Sequence, residues 1–174
     1  MGSNWNNLIS SFKIGKGVKA ILCDDPNCGG YGNYNKATEV AGPAVVNWVE
    51  GWNDRISHIR LIPHVGGEVT LFESRYFRGH SQVFGNGDYH YNEFIKRIRN
   101  DSLTGAIIPK DTTVTFYMHH FGTNPQYTVT GPKSAEYIGT LGIPDNHISS
   151  IRVRSNVKNP KGIQMDIDLT KANA

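Results

Sequence analysis

Four oxygen-bearing phrases recur along the chain: Asn6 to Ile14 (NNLISSFKI), Asn53 to Leu61 (NDRISHIRL), Asn100 to Ile108 (NDSLTGAII) and Asp145 to Val153 (DNHISSIRV). Each opens with two Asn/Asp residues, passes through one variable residue and an Ile or Leu, reaches a Ser or Thr, and then alternates in polarity. An amide or carboxylate oxygen with a hydroxyl three residues on, placed where a loop enters a strand, is a cluster of hard donors. Clusters of that kind suit Ca²⁺. The same residues also close Asx and Ser/Thr turns without any metal, so the phrases alone leave both readings open.

The phrases start 47, 47 and 45 residues apart, which makes them an internal repeat. Each period is one supersecondary unit that must pair with another to bury its apolar face. Segments such as VTLFES from Val69, TVTFYM from Thr113 and ISSIRV from Ile148 are rich in β-branched and aromatic residues and read as strands. Gly, Pro and Asn clusters between them supply turns. A short helical turn is expected around Asn92 to Ile98, where Phe94, Ile95 and Ile98 can share a face. The fold class is all-β, with paired Greek-key sheets packed as sandwiches.

Composition narrows the function classes. The 18 Lys+Arg stand against 15 Asp+Glu, and the one local concentration, Arg75 to Arg99, is interleaved with Glu73, Asp88 and Glu93. That is a solvated face rather than a nucleic-acid groove. No run of 18 apolar residues exists and no charged-then-apolar leader opens the sequence, so neither a membrane span nor a secretory signal is expected, and a cytoplasmic location follows as the expectation. No acid, base and nucleophile set stands out, so no enzyme activity is expected.

A second element precedes three of the phrases. Phe72 to Gly79 reads aromatic, four residues, aromatic, one residue, Gly; Cys23 to Gly30 has the same frame with cysteine in both aromatic slots; Phe116 to Thr123 repeats it with Thr in place of Gly. A hairpin of this frame followed 28 to 30 residues later by the phrase resembles the βγ-crystallin family, particularly its calcium-binding microbial branch. The resemblance covers nearly all of residues 4 to 155.

What the resemblance implies is a reciprocal double clamp, in which two motifs hold two Ca²⁺ ions between them. Carried onto this sequence, side-chain oxygens come from Asn7, Asp54, Asp101 and Asn146, and hydroxyls that reach across from Ser10, Ser57, Thr104 and Ser149. Carbonyl donors are those of Leu8, Arg55, Ser102 and His147 in the phrases, and of Asp24, Glu73 and Tyr117 in the hairpins. The sixth position departs from Ser at His58 and Gly105, which weakens those two phrases. The implied function is a non-enzymatic, calcium-binding structural or stress-related protein, a monomer or weak homodimer with calcium ions as its partners. The alternatives are an antimicrobial or killer-toxin-like surface protein of the same fold, or a crystallin fold that has lost its metal.

Residues 67–155 hold two complete motifs. Residues 1–62 hold one complete motif and the last strand of another, and the alternating segment Gly162 to Leu169 can supply missing strands. The second domain is therefore expected to be circularly permuted, built from 1–66 with 156–174; the alternative is a free C-terminal tail with residues 1–14 as an extra strand or dimerisation arm. Cys23 and Cys28 fit either a disulfide or two buried thiols. His119 and His120, read as strand neighbours, face opposite sides and do not chelate one ion together.

Overall fold

The computed structural model describes residues 8–25, 28, 37–64 and 66–157, together with residues 165–168 by their backbone. The chain divides into two compact units, Met1–His64 with Ile163–Ala174, and Val65–Gly162. The first contains β1 (Phe12–Ile14), β2 (Val18–Cys23), β3 (Ala37–Ala41), β4 (Ala44–Val46), β5 (His58–Pro63) and β14 (Met165–Asp168). The second contains β6 (Val69–Ser74), β7 (Arg78–Phe84), β8 (Gly87–Tyr89), the helical turn α1 (Tyr91–Phe94), β9 (Gly105–Ile108), β10 (Thr112–Tyr117), β11 (Gln126–Thr130), β12 (Lys133–Ala135) and β13 (Ser150–Ser155).

Period-two patterning positions these strands. In β10 the side chains of Val114 and Phe116 are buried while Thr113 and Thr115 are half-exposed, and in β11 exposure alternates along the whole strand. The inward residues of both sheets meet α1 in one core that includes Leu71, Phe84, Phe94, Ile98, Phe116 and Ile151. Phe94 and Ile98 are buried and Ile95 half-buried, as their shared face requires.

The second unit is made of two four-stranded sheets, ordered β12-β9-β6-β7 and β11-β10-β13-β8. Its two motifs in chain order are β6-β7-β8-β9 and β10-β11-β12-β13, so the third strand of each pairs in the other's sheet. β8 lies against β13 and β12 against β9, both antiparallel. This is a paired Greek key whose halves each complete the other.

In the first unit the sheet ordered β14-β5-β2-β3 matches β8-β13-β10-β11 strand for strand, and the ribbon β1-β4 matches β9-β12. β14 thus holds the place of a third strand for the motif that ends in β1, pairing residues 165–168 with Leu61 to His58. Counterparts of β6 and β7 are not found among the described residues of this unit. Its core of Ile14, Ala20, Leu22, Val49 and Ile56 is ringed by half-buried Ile9, Phe12, Val46, Trp52 and Leu61. A Val-x-Gly-Pro step recurs in both units, at Val40 to Pro43 and Val129 to Pro132. There Gly42 N donates to Val18 O at 2.8 Å and Gly131 N to Thr112 O at 2.9 Å, which turns the chain from the second strand into the third.

Candidate metal centre

Strand begins at the sixth residue of the last three phrases, at His58, Gly105 and Ser150. The loop before it is shaped by the second residue, which is left-handed in each: φ is 54° at Asp54, 52° at Asp101 and 57° at Asn146. Asn and Asp enter that region at less cost than other side-chain-bearing residues, which accounts for these types at this position. The leading Asn steadies the carboxylate beside it. Asn53 Nδ2 donates to Asp54 Oδ2 at 2.8 Å, and Asn100 Nδ2 to Asp101 Oδ2 at 2.6 Å.

The fifth residue is anchored by its backbone to the neighbouring hairpin. Ser57 N donates to Cys23 O at 2.9 Å, Thr104 N to Phe72 O at 2.9 Å and Ser149 N to Tyr117 O at 3.0 Å. In the third and fourth phrases its hydroxyl is thereby aimed at the other motif. Thr104 Oγ1 donates to Asn146 Oδ1 at 3.3 Å, and Ser149 Oγ lies 3.4 Å from Asp101 Oδ1 and 3.0 Å from the Met118 carbonyl to which it donates. The third and fourth phrases are thus crossed: the hydroxyl of each reaches the side-chain oxygen of the other.

These contacts shift one expected donor. Cys23, Phe72 and Tyr117 occupy the same ladder position, opposite His58, Gly105 and Ser150. Asp24 and Glu73 follow the first two, so the residue equivalent to them in the third hairpin is Met118, not Tyr117. The reason lies in the hairpin's shortened loop: Phe116 faces the core, and the ring pair that closes the turn is Tyr117 with Phe121, 5.0 Å apart. Phe72 and Phe77 make the matching pair at 5.3 Å, and Cys23 and Cys28 fill the same places with a disulfide. Gly105 suits its site because an added Cβ would stand 3.3 Å from Ala135 O.

The other expected residues are placed as follows. Glu73 accepts from Arg99 N and Nε, both at 2.8 Å, and Asp24 accepts from Arg55 Nη2 at 3.2 Å, so both hairpin acids are already tied to cations by their side chains. Thr104 Oγ1 lies 3.3 Å from Ser102 O, and Ser10 O accepts from Val49 N. His147 is exposed and its Nδ1 contacts Asp145 O. Leu8 is exposed, and Asn7, the remaining side-chain donor, lies outside the described residues. His119 and His120 are exposed in the loop after β10, so strand alternation does not govern them.

Among the described residues no group of three or more His, Cys, Asp or Glu converges. A cation at the crossed phrases would therefore meet one carboxylate, Asp101, among amide, hydroxyl and carbonyl oxygens. That donor set fits a hard, loosely coordinated ion such as Ca²⁺ and is poor for softer metals.

No protein-family model and no curated protein matches the chain. Solved structures do: the N-terminal domain of protein S is 26% identical, over 51% of this chain and 97% of that one, with a TM-score of 0.45. Hahellin, a beta-gamma crystallin, is 26% identical over 55% of this chain and 100% of its own, at 0.46. A betagamma-crystallin domain from Clostridium beijerinckii is 22% identical over 51% and 98%, at 0.46. Each match spans about half of this chain. Exchanged third strands, folded hairpins closed by paired rings, and phrases crossed between motifs are the features that carry this chain's resemblance to βγ-crystallin domains.

Proposed function

We propose that the protein is a non-enzymatic, calcium-binding crystallin-like protein in which the ion ties two Greek-key motifs together. The observation that carries this reading is the crossing of Thr104 with Asn146 and of Ser149 with Asp101. Asp101, Ser149 and the Met118 carbonyl would hold one ion, and Asn146, Thr104 and the Glu73 carbonyl the other. Calcium supplies positive charge where those oxygens otherwise face one another. Because a single carboxylate takes part, affinity is expected in the range of about 10⁻⁵ to 10⁻³ M. An ion that binds only the folded state adds roughly 2.7 kcal/mol at a hundredfold excess over its dissociation constant, a large increment for a small domain.

Calorimetric titration tests it. The parent gives a saturable calcium isotherm, Asp101→Asn weakens it several-fold, and Asp101→Ala with Ser149→Ala removes the Asp101 site. Asp54→Ala reports on the first unit in the same way. A flat trace in the parent would leave the fold without its ion. We further propose that residues 1–64 with β14 form a second, circularly permuted domain of the same type, supported by the β14 to β5 pairing.

A further inference from the structure

We infer that β11 is a self-association edge that pairs antiparallel with β11 of a second copy of this chain. β11 is the outermost strand of its sheet. Gly131 N donates to Thr112 O, and Met118 N to Pro125 O, across the β10 side of the hairpin. By the alternation of an antiparallel ladder, Gln126, Thr128 and Thr130 then turn their N–H and C=O groups toward the open edge.

An edge of this kind is a template for another strand, and proteins blunt it with charge, with short length or with a bulge. Other edges among the described residues are blunted. β3 carries Glu39, β1 Lys13, β8 Asp88, β12 Lys133 and β14 Asp166 and Asp168; β7 carries Arg78 and a register break between Phe72 and Ser74; β4 is three residues long. β11 has five residues, no charge and no bulge. The comparison with β3 is the sharpest. Aligning Gly42-Pro43 with Gly131-Pro132 puts Glu39 of β3 at the place that Thr128 holds in β11.

A second copy is the occupant because the strand is complementary to itself. A two-fold axis at Thr128 sets Gln126 against Thr130 of the second copy on one face, and Tyr127 against Val129 of the second copy on the other. Amide with hydroxyl and aromatic with β-branched are both favourable cross-strand pairs. About six main-chain hydrogen bonds close the ladder. The contact is isologous and stops at two copies, and its area, under about 1,000 Å², places it among weak, reversible associations.

Sedimentation equilibrium of the full chain from about 10 μM to about 1 mM tests this. The average mass is expected to climb from one chain toward two, and Thr128→Glu, which brings like charges together on the axis, to abolish the climb. Gln126→Lys with Thr130→Glu keeps the association, since opposite charges then face each other, whereas Gln126→Lys with Thr130→Lys loses it. Thermal melting of each variant checks that it folds, and the two double variants decide the matter if Thr128→Glu does not. A single-chain mass throughout, a mass rising beyond two chains, or association indifferent to these charges overturns the inference.

Discussion

Asp88 shows how the charges of the second unit are spent. It accepts from Arg152 Nε at 3.1 Å and also pairs with Arg154, while the Arg152 guanidinium lies over Phe121 at 4.6 Å. Slight burial alone would raise its carboxyl pKa, but the hydrogen bonds and charges of the two arginines outweigh it and hold the group below its ordinary 3.8. A carboxyl depressed in the folded state contributes stability above its unfolded pKa, and that contribution is lost as pH falls through the folded value. Asp88→Asn is therefore expected to cost roughly 0.5 kcal/mol at pH 7, with the difference from the parent shrinking as pH falls below the carboxyl's ordinary 3.8; urea melts from pH 7 down through that range measure it. The small figure follows from the partial exposure of all three side chains. By contrast, Asp101 and Asn146 combine a left-handed backbone with an oxygen of the proposed calcium site, so an alanine there would disturb loop and proposed site together, whereas Asp101→Asn separates the two effects.

Among the elements, the hairpin corners are one device built three ways: ring on ring at Phe72 with Phe77, ring on ring at Tyr117 with Phe121, and sulfur to sulfur at Cys23 with Cys28. Disulfides persist in oxidising surroundings, and the bridge in β2 is a local staple worth roughly 2 kcal/mol for so short a loop. The Gly-Pro steps are a second repeated device. An added Cβ on Gly131 would meet Pro109 O at 2.0 Å, and on Gly42 would meet Gly15 O at 1.9 Å, so backbone itself must move to admit a side chain. Gly131→Ala is expected to destabilise the second unit by about 2 to 3 kcal/mol in denaturant melts. Much of this was legible in advance. The phrases placed Asp101, Thr104, Asn146 and Ser149 correctly at a loop-to-strand junction, because Asx and hydroxyl residues before an alternating run carry a local signal. Met118 was not legible: with aromatics at both 116 and 117, only the register of β10 against β13 shows which one closes the corner. The Gly-Pro repeat was visible in sequence, at Val40 and Val129, but its meaning depends on how closely a distant carbonyl approaches.

At the scale of the molecule, two units divide the chain, and the first draws on both ends of it. Residues 165–168 pair with β5 across more than a hundred residues of sequence, a contact that periodicity can suggest but not align. Deleting residues 163–174 is expected to lower the melting temperature of the first unit by roughly 5 °C or more while leaving the second unchanged, a split that calorimetric scanning resolves. Unchanged melting of both would remove the permuted-domain reading. None of the described helices is long and apolar enough to cross a membrane.

The trade of β8 and β12 between sheets has a kinetic side. Neither motif of the second unit can shed its third strand without stripping a neighbour from the other motif, so amides in β9 and β13 should lose protection against deuterium in one concerted opening, not motif by motif. The whole unit, not the repeat that is visible in its sequence, is then the smallest piece of this half of the chain that holds together.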